Sequence, residues 1–179
     1  MEQRDFYLCD NVIEGRLEWP WVFDADAQSH WDDRGVDLAG DGHVVCHNRI
    51  SGFGDPVVNK QVESRAWDVY GNDILDAFDG TELDEASENV RLYRNRFTNV
   101  MDPISIQPIH GGPAYALRNV GHNIVQEQIK LKSLGGQQLP SDALHLSQQL
   151  YQSHTRTQLS VTDHAVQLRT SQQCLCGTR

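Results

Sequence analysis

The sequence predicts an all-β protein built as a parallel β-helix, a solenoid in which each coil of the chain stacks on the previous one. Two observations lead to this prediction. Short segments rich in β-branched and aromatic residues recur along the chain, and each is closed by an asparagine. The asparagines are Asn11, Asn48, Asn72, Asn95 and Asn119. The last three intervals are 24, 23 and 24 residues, and a fixed period in the low twenties is typical of a solenoid.

Apolar residues keep the same places relative to each asparagine. Three residues before it come Leu8, Val45, Val69, Leu92 and Ala116, and two residues after it come Ile13, Ile50, Ile74 and Phe97. The Leu-x-x-Leu-x-Leu frame of leucine-rich repeats is missing, and helical repeats are longer and richer in alanine. Each period is therefore interpreted as one coil. We expect the asparagine to adopt the left-handed backbone of a sharp corner and to bond to the asparagine of the next coil through its amide.

An insertion interrupts the first coil. The interval from Asn11 to Asn48 is 37 residues, about 13 more than the regular period, and the extra segment holds Trp19, Trp21 and Trp31 among several aspartates. Tryptophan faces stack on sugar rings, so these residues are candidates for substrate binding. An alternative interpretation is that they cover an otherwise open end of the core.

The repeat resembles the right-handed parallel β-helix proteins of the pectate-lyase-like superfamily, many of them secreted bacterial proteins acting on polysaccharides. The resemblance rests on Asp79-Gly80-Thr81-Glu82-Leu83-Asp84, on residues 89–95 and on Gly111-Gly112-Pro113 with the strand that follows. It covers residues 5–136, and it implies about five right-handed coils that are incomplete at both ends. It also implies polysaccharide recognition, although the fold hosts many activities.

The strongest candidate for chemistry is a group of acids in and after one turn, namely Asp76, Asp79, Glu82 and Asp84. Crowded carboxylates bind Ca²⁺ or separate their pKa values, so all four are candidate calcium ligands. Lyases of the resembled fold use calcium and a base, and its hydrolases use paired acids, which makes Asp79, Glu82 and Asp84 candidate catalytic residues. An alternative is that Asp79 is a repeated turn residue that bonds its own backbone, like Asp55 and Asp102.

Two arginines hold equivalent places one residue before a ladder asparagine. Arg94 and Arg118 would form an outward column, and guanidinium groups match the carboxylates of an anionic sugar. Ordinary ion pairing with nearby acids is the alternative.

Composition limits the function classes. The 179 residues include 15 basic and 25 acidic side chains, a net charge of −10, which argues against nucleic-acid binding. There is no run of 18 apolar residues, so no membrane span is expected. Proteins of the resembled kind are exported, but we recognise no signal peptide, and the localisation is left open.

The four cysteines could form a disulfide or contribute to a metal site. Cys9 and Cys46 hold the same place in successive coils and should stack about 4.8 Å apart. That spacing permits a disulfide, and two buried thiols in a core ladder are the alternative. Cys174 and Cys176 have no matching pair and do not form a zinc motif.

The pattern ends near residue 136, and residues 137–179 are predicted to be a poorly ordered tail. Gln148-Gln149 and Gln172-Gln173 are 24 residues apart, the interval of the asparagines. A glutamine codon pair read one base late yields asparagine, and residues 146–178 read in that way can give two Asn-Asn corners. We therefore predict a frameshift near residues 144–147, which the gene sequence tests.

The leading functional hypothesis is a polysaccharide-recognising β-helix, with lyase or hydrolase chemistry left open and calcium as the cofactor of that chemistry. One alternative is a non-catalytic scaffold or adhesin-like segment, and another is a gene fragment without function. Open strand edges at the ends of the solenoid would favour self-association.

Overall fold

The computed structural model describes residues 3–21, 25–59, 64–84, 86–106, 113–132, 144–147, 150–153 and 161–162. It is an all-β protein in which 54% of the described residues are in strands and 4% are helical. Within the described ranges, no helix has the length and apolar character needed to cross a membrane.

The elements follow one another in coils. In chain order they are β1 (Tyr7–Cys9), β2 (Val12–Glu14), α1 (Ala25–Ser29), β3 (Arg34–Asp37), β4 (Val44–Cys46), β5 (Arg49–Phe53), β6 (Asp55–Val58), β7 (Ser64–Arg65), β8 (Asp68–Tyr70), β9 (Asp73–Asp79), β10 (Ala86–Glu88), β11 (Val90–Tyr93), β12 (Arg96–Asp102), β13 (Ser105–Ile106), β14 (Ala114–Leu117), β15 (Val120–Ile124), β16 (Lys130–Lys132), β17 (Leu144–Ser147), β18 (Leu150–Ser153) and β19 (Val161–Thr162).

Each coil contributes one strand to each of two long sheets. The first sheet has the order β1-β4-β8-β11-β14-β17, and the second has the order β18-β15-β12-β9-β5-β2. A third side is made of shorter pieces, β3-β6 and β13-β16-β19, which Glu82 joins by isolated bridges to Val58 and Ser105. Every strand pair is parallel, which confirms the predicted parallel β-solenoid.

The strand register follows the asparagine spacing. Val45, Val69 and Leu92 lie opposite one another in the first sheet, three residues before their asparagines. The stack is a solenoid of about three turns, fewer than the five coils expected, although strands from the first coil and from beyond residue 143 lengthen the two long sheets to six strands.

The interior is a continuous apolar column. Its fully buried members include Ile50, Ile74 and Phe97 from the second sheet and Trp67 at the entrance to the first. Because one inward side chain per coil stacks on its equivalent in the next, the repeat of the sequence becomes one core shared by all coils.

The predicted asparagine ladder is present. The side-chain amides are linked by Nδ2–H···Oδ1 bonds from Asn11 to Asn48 at 2.9 Å, Asn48 to Asn72 at 3.0 Å, Asn72 to Asn95 at 3.0 Å and Asn95 to Asn119 at 3.1 Å. Each of these asparagines except Asn11, which is partly exposed, is almost fully buried. The ladder therefore gives the buried amide groups of this corner hydrogen-bond partners inside the protein.

The expected role of asparagine in the corner backbone was wrong. The left-handed residue is the one before each asparagine, namely Asp10, His47, Gly71, Arg94 and Arg118, with φ between 53° and 64°. The asparagines themselves are not left-handed. Their contribution is the amide, which bonds to the next coil and to a carbonyl, such as that of Val69 for Asn95 at 2.9 Å.

The region beyond residue 143 contributes three strands. β17 pairs with β14, β18 with β15 and β19 with β16, all in parallel. The predicted domain boundary at residue 136, the glutamine pairs, Cys174 and Cys176 lie outside the described residues, so the predicted frameshift-derived tail stays a prediction.

Candidate functional site

The insertion is defined here as residues 15–33, and its described parts, residues 15–21 and 25–33, fold against the side of the solenoid and not over its end. Leu17 and Ala27 of the insertion form a second small core with Phe78 and Met101, which project outward from the second sheet, and Trp21 packs against it. Apolar side chains on the outer face of a sheet need such a cover. The alternative interpretation placed the tryptophans over an open end of the core, whereas Trp21 packs on the outer face of the second sheet.

Two of the three predicted tryptophans contact Phe78, and the third contacts one of these two. Trp31 stacks on the Phe78 ring with centroids 5.2 Å apart, and Trp21 meets the same ring edge-on at 5.5 Å. Trp19 contacts Trp21 edge-on at 4.4 Å. Trp19 and Trp31 keep 36% and 40% of their surface exposed, so they present aromatic surface to solvent while their partners hold them in place.

A pocket of about 270 Å³ lies within the insertion. Leu17, Pro20 and Ala27 give it apolar walls, and Trp21 lines it with one aromatic side chain. Its polar groups come from Arg16, Glu18, Asp26 and His30. A concave site with an aromatic wall and a few convergent polar groups is the usual form of a small-ligand site.

Local contacts shape the polar side of the pocket. His30 follows α1 and its Nδ1 is 2.7 Å from Oδ2 of Asp33, which holds the imidazole in one orientation. Ser29 donates a hydrogen bond from Oγ to the carbonyl of Asp26 at 2.6 Å. The helix of five residues is thus closed by its own side chains.

Two features fix the insertion to the coils. Cys9 and Cys46 form a disulfide, so of the two arrangements left open by the sequence the bridged one occurs, and it closes the loop that carries the pocket. At Gly54, a Cβ atom would meet the carbonyl oxygens of His30 and Trp31. Only a residue without a side chain permits this close approach.

A column of buried carboxyl groups, formed by Asp55, Asp79 and Asp102, runs beside the insertion. Their exposures are 3%, 5% and 3%, and each residue ends or begins a strand at the same corner. Asp79 accepts a 2.6 Å bond from Nζ of Lys130, and Asp102 accepts a 2.7 Å bond from the backbone N–H of Glu127. The repeated turn residues therefore bond to later coils, and the alternative that they bond their own backbone is wrong for this pair.

The pKa values of the column reflect its burial. Burial raises the pKa of Asp102 to about 7, against the lowering effect of the Glu127 hydrogen bond, and the charge of Asp79 adds to the rise. Burial also raises the pKa of Asp79, although Lys130 opposes it. Because the charge of Asp79 contributes to the raised pKa of Asp102, the two carboxyl groups titrate in dependence on each other.

In the pKa of Lys130, the attraction of nearby carboxylates outweighs the effect of burial. Burial alone would lower the pKa of its ammonium, but the attraction of Asp79 and then of Asp102 outweighs this effect, and the pKa is raised. Lys130 is thus a permanent cation at this corner.

The other predicted catalytic residues lie on the third side. Glu82 is half-buried and its backbone bridges the neighbouring coils. Asp84 is half-buried and accepts a 3.1 Å bond from Oγ of Ser105. The charge of Glu82 acts on Asp79 of the column, and the charge of Asp84 acts on Lys130 beside it.

Asp76 belongs to a different row. It precedes Asp79 on β9 and accepts a 2.8 Å bond from Nδ2 of Asn99, which in turn accepts one of 2.8 Å from Asn123. All three have left-handed φ angles of 53° to 57°, and they form a second row of hydrogen-bonded polar side chains along the second sheet. Among the described residues, no group of three or more His, Cys, Asp and Glu side chains is arranged to hold a metal ion, and the calcium site stays a prediction.

Arg94 and Arg118 lie at the far edge of the second sheet from the insertion. Both are exposed corner residues that precede β12 and β15, whereas Phe78 lies near the end of β9. A strand of seven residues is about 20 Å long. The structure therefore does not bring the predicted arginines and tryptophans into one site.

Sequence reasoning missed Phe78, His30 and Lys130. Of these three, Phe78 alone has a signal in the sequence, because it occupies the outward-facing position that Met101 occupies one coil later. His30 and Lys130 follow no repeat and have no signal in the sequence. No protein-family profile, curated protein or solved structure matches this chain.

Proposed function

We propose that this β-solenoid recognises a saccharide in the pocket of the insertion. The observation that carries the proposal is the juxtaposition of Trp21 with charged and polar side chains in a pocket of about 270 Å³, on a segment anchored to a rigid stack of coils. Aromatic rings supply stacking surface for a sugar ring, and the polar groups supply directional bonds to its hydroxyls.

The pocket is large enough for one sugar ring of an oligosaccharide, and the adjoining rings would lie outside it. Pockets for drug-sized ligands begin at about 300 Å³, slightly above the volume found here. Trp19 and Trp31 remain partly exposed beside the pocket, where they offer stacking surface to adjoining rings of a longer chain.

We assign the acid column to stability in preference to catalysis. A general acid or base has to reach the reacting atoms within hydrogen-bond distance. Asp79 and Asp102 are almost fully buried, and Lys130 occupies an oxygen of Asp79 at 2.6 Å. The half-buried Glu82 and Asp84 are the better placed of the predicted catalytic residues, so lyase or hydrolase chemistry would have to start from them.

We also propose that the solenoid is right-handed and of the pectate-lyase-like type. Support comes from the parallel sheets and from the asparagine ladder, and right-handed crossovers dominate among parallel strands. An experimental structure with left-handed coils would contradict this assignment.

Binding to a panel of oligosaccharides tests the saccharide site. We expect one of them to bind and to change tryptophan fluorescence, and Trp21→Ala should weaken its affinity at least about tenfold by removing the aromatic wall. Tyr7→Ala removes an exposed aromatic outside the pocket and should leave affinity unchanged. Absence of binding to every oligosaccharide, or an equal loss in both variants, would refute the site and leave the scaffold hypothesis.

A further inference from the structure

The charges around the pocket are unevenly distributed. Glu18 and Asp26 line it with two carboxylates, while Arg16 is the permanent cation among the lining residues. The imidazole of His30 is held 2.7 Å from the carboxylate of Asp33, which offsets any positive charge on that ring. The wall is therefore negative on balance, in a chain with a net charge of −10.

The arginines suited to an acidic sugar are elsewhere. Arg94 and Arg118 lie across the second sheet, at a distance of about the length of a seven-residue strand, ~20 Å. Among the described lining residues, a uronate in the pocket would meet the two carboxylates of Glu18 and Asp26 and the one guanidinium of Arg16. Like charges in contact disfavour binding, and an opposite charge at the same place favours it.

We propose, resting on the saccharide site above, that the pocket selects a sugar that carries a free ammonium group, such as a 2-amino-2-deoxyhexose unit. The ammonium lies between the carboxylates of Glu18 and Asp26, and the sugar ring lies against Trp21. An aromatic face also attracts a cation directly. The pocket thereby separates amino sugars from their N-acetylated and uronate counterparts.

The test compares three oligosaccharides of equal length by calorimetry with the oxidised full chain. They are a glucosamine oligomer, the same oligomer fully N-acetylated, and an oligogalacturonate, all at pH 6, where the free amine is protonated. We expect the glucosamine oligomer to bind about fivefold or more tightly than the acetylated one, the ratio of a single ion pair in water. The preference should shrink as salt is raised.

Two charge variants locate the effect. Asp26→Asn should remove most of the preference for the free amine and leave the affinity for the acetylated oligomer nearly unchanged. Asp10→Asn changes the net charge by the same amount at an exposed corner with φ of 63°, which asparagine tolerates. It should leave the preference intact.

The outcomes separate this inference from the saccharide site itself. Equal affinity for the amino and acetylated oligomers, tighter binding of the galacturonate, or an equal response of the two variants would overturn the charge selectivity while the saccharide site stands. Failure of all three oligosaccharides to bind at millimolar concentration would overturn this inference, and the saccharide site falls with it only if no other oligosaccharide of the panel binds.

Discussion

The regular coils and the insertion differ in where their polar contacts go. In the coils, the asparagine amides bond to partners 23 or 24 residues away, one rung along the stack. In the insertion, the side-chain bonds from Ser29 and His30 span three residues. In the coils these polar groups bond one coil to the next. In the insertion they form local hydrogen bonds that fix the backbone beside the pocket.

This difference separates stability from recognition. Each coil repeats the same hydrogen bonds to its neighbour, so the ladder side chains are already engaged and have few groups left to bind a ligand. The insertion is held by Phe78, by the approach at Gly54 and by the disulfide. The side chains of the insertion are not repeated from coil to coil, so they can differ from one another in the way that a binding site requires.

The largest expected effect lies at the corner of the coils. Lys130→Met should lower the free energy of unfolding by about 3–5 kcal/mol at pH 8, because it leaves Asp79 buried without its cation. The measurement is urea unfolding followed by circular dichroism. Arg49→Met, which breaks an exposed pair with Asp73, should change the same quantity by less than about 1 kcal/mol.

The pH dependence of stability gives the sign of this effect. The folded-state pKa values of Asp79 and Asp102 are raised above the ordinary value of 3.8, that of Asp102 to about 7. Folding then favours the protonated forms, so stability should fall as pH rises from about 4 to about 7. The loss caused by Lys130→Met should shrink at pH 5. A loss that is equal at pH 5 and pH 8 would contradict this account.

The second expected effect lies at the attachment of the insertion. The disulfide closes 37 residues, and replacing both Cys9 and Cys46 by alanine should lower the free energy of unfolding by about 2–4 kcal/mol. Tryptophan fluorescence should also change in the folded state, since Trp21 and Trp31 are in the closed loop. Unchanged fluorescence together with unchanged stability would show that the packing on Phe78 fixes the insertion without the bridge.

The smallest expected effect is the loss of stability when one ladder asparagine is replaced, compared with the replacement of an exposed arginine. Asn95→Ala removes the bonds to Val69 and Asn119 and leaves donors of Asn72 without an acceptor, so it should cost about 1–3 kcal/mol. Arg96→Ala breaks an exposed pair with Asp73 and should cost less than about 1 kcal/mol. Equal shifts in melting temperature for the two variants would count against a stabilising ladder.

The sequence by itself determined the periodic part of the protein. The spacing of the asparagines and of residues such as Val69 and Leu92 recurs every 23 or 24 residues, and a period of this kind is local enough to be seen without coordinates. The parallel pairing, the inward rows and the amide ladder all follow from it. The left-handed corner residue was misplaced by one position, because the sequence there varies from Asp10 to Gly71 to Arg118 and shows no common chemistry.

Only the tertiary structure decided the parts that lack a period. That Trp21 and Trp31 meet Phe78, that Lys130 reaches Asp79 across 51 residues and that Asp76 bonds to Asn99 depend on how the insertion and the coils pack. Such contacts join residues distant in the chain through single side chains, and no repeat records them. The physical reason is that stacking fixes the position of each coil from its neighbour, while an insertion is placed by contacts that occur once.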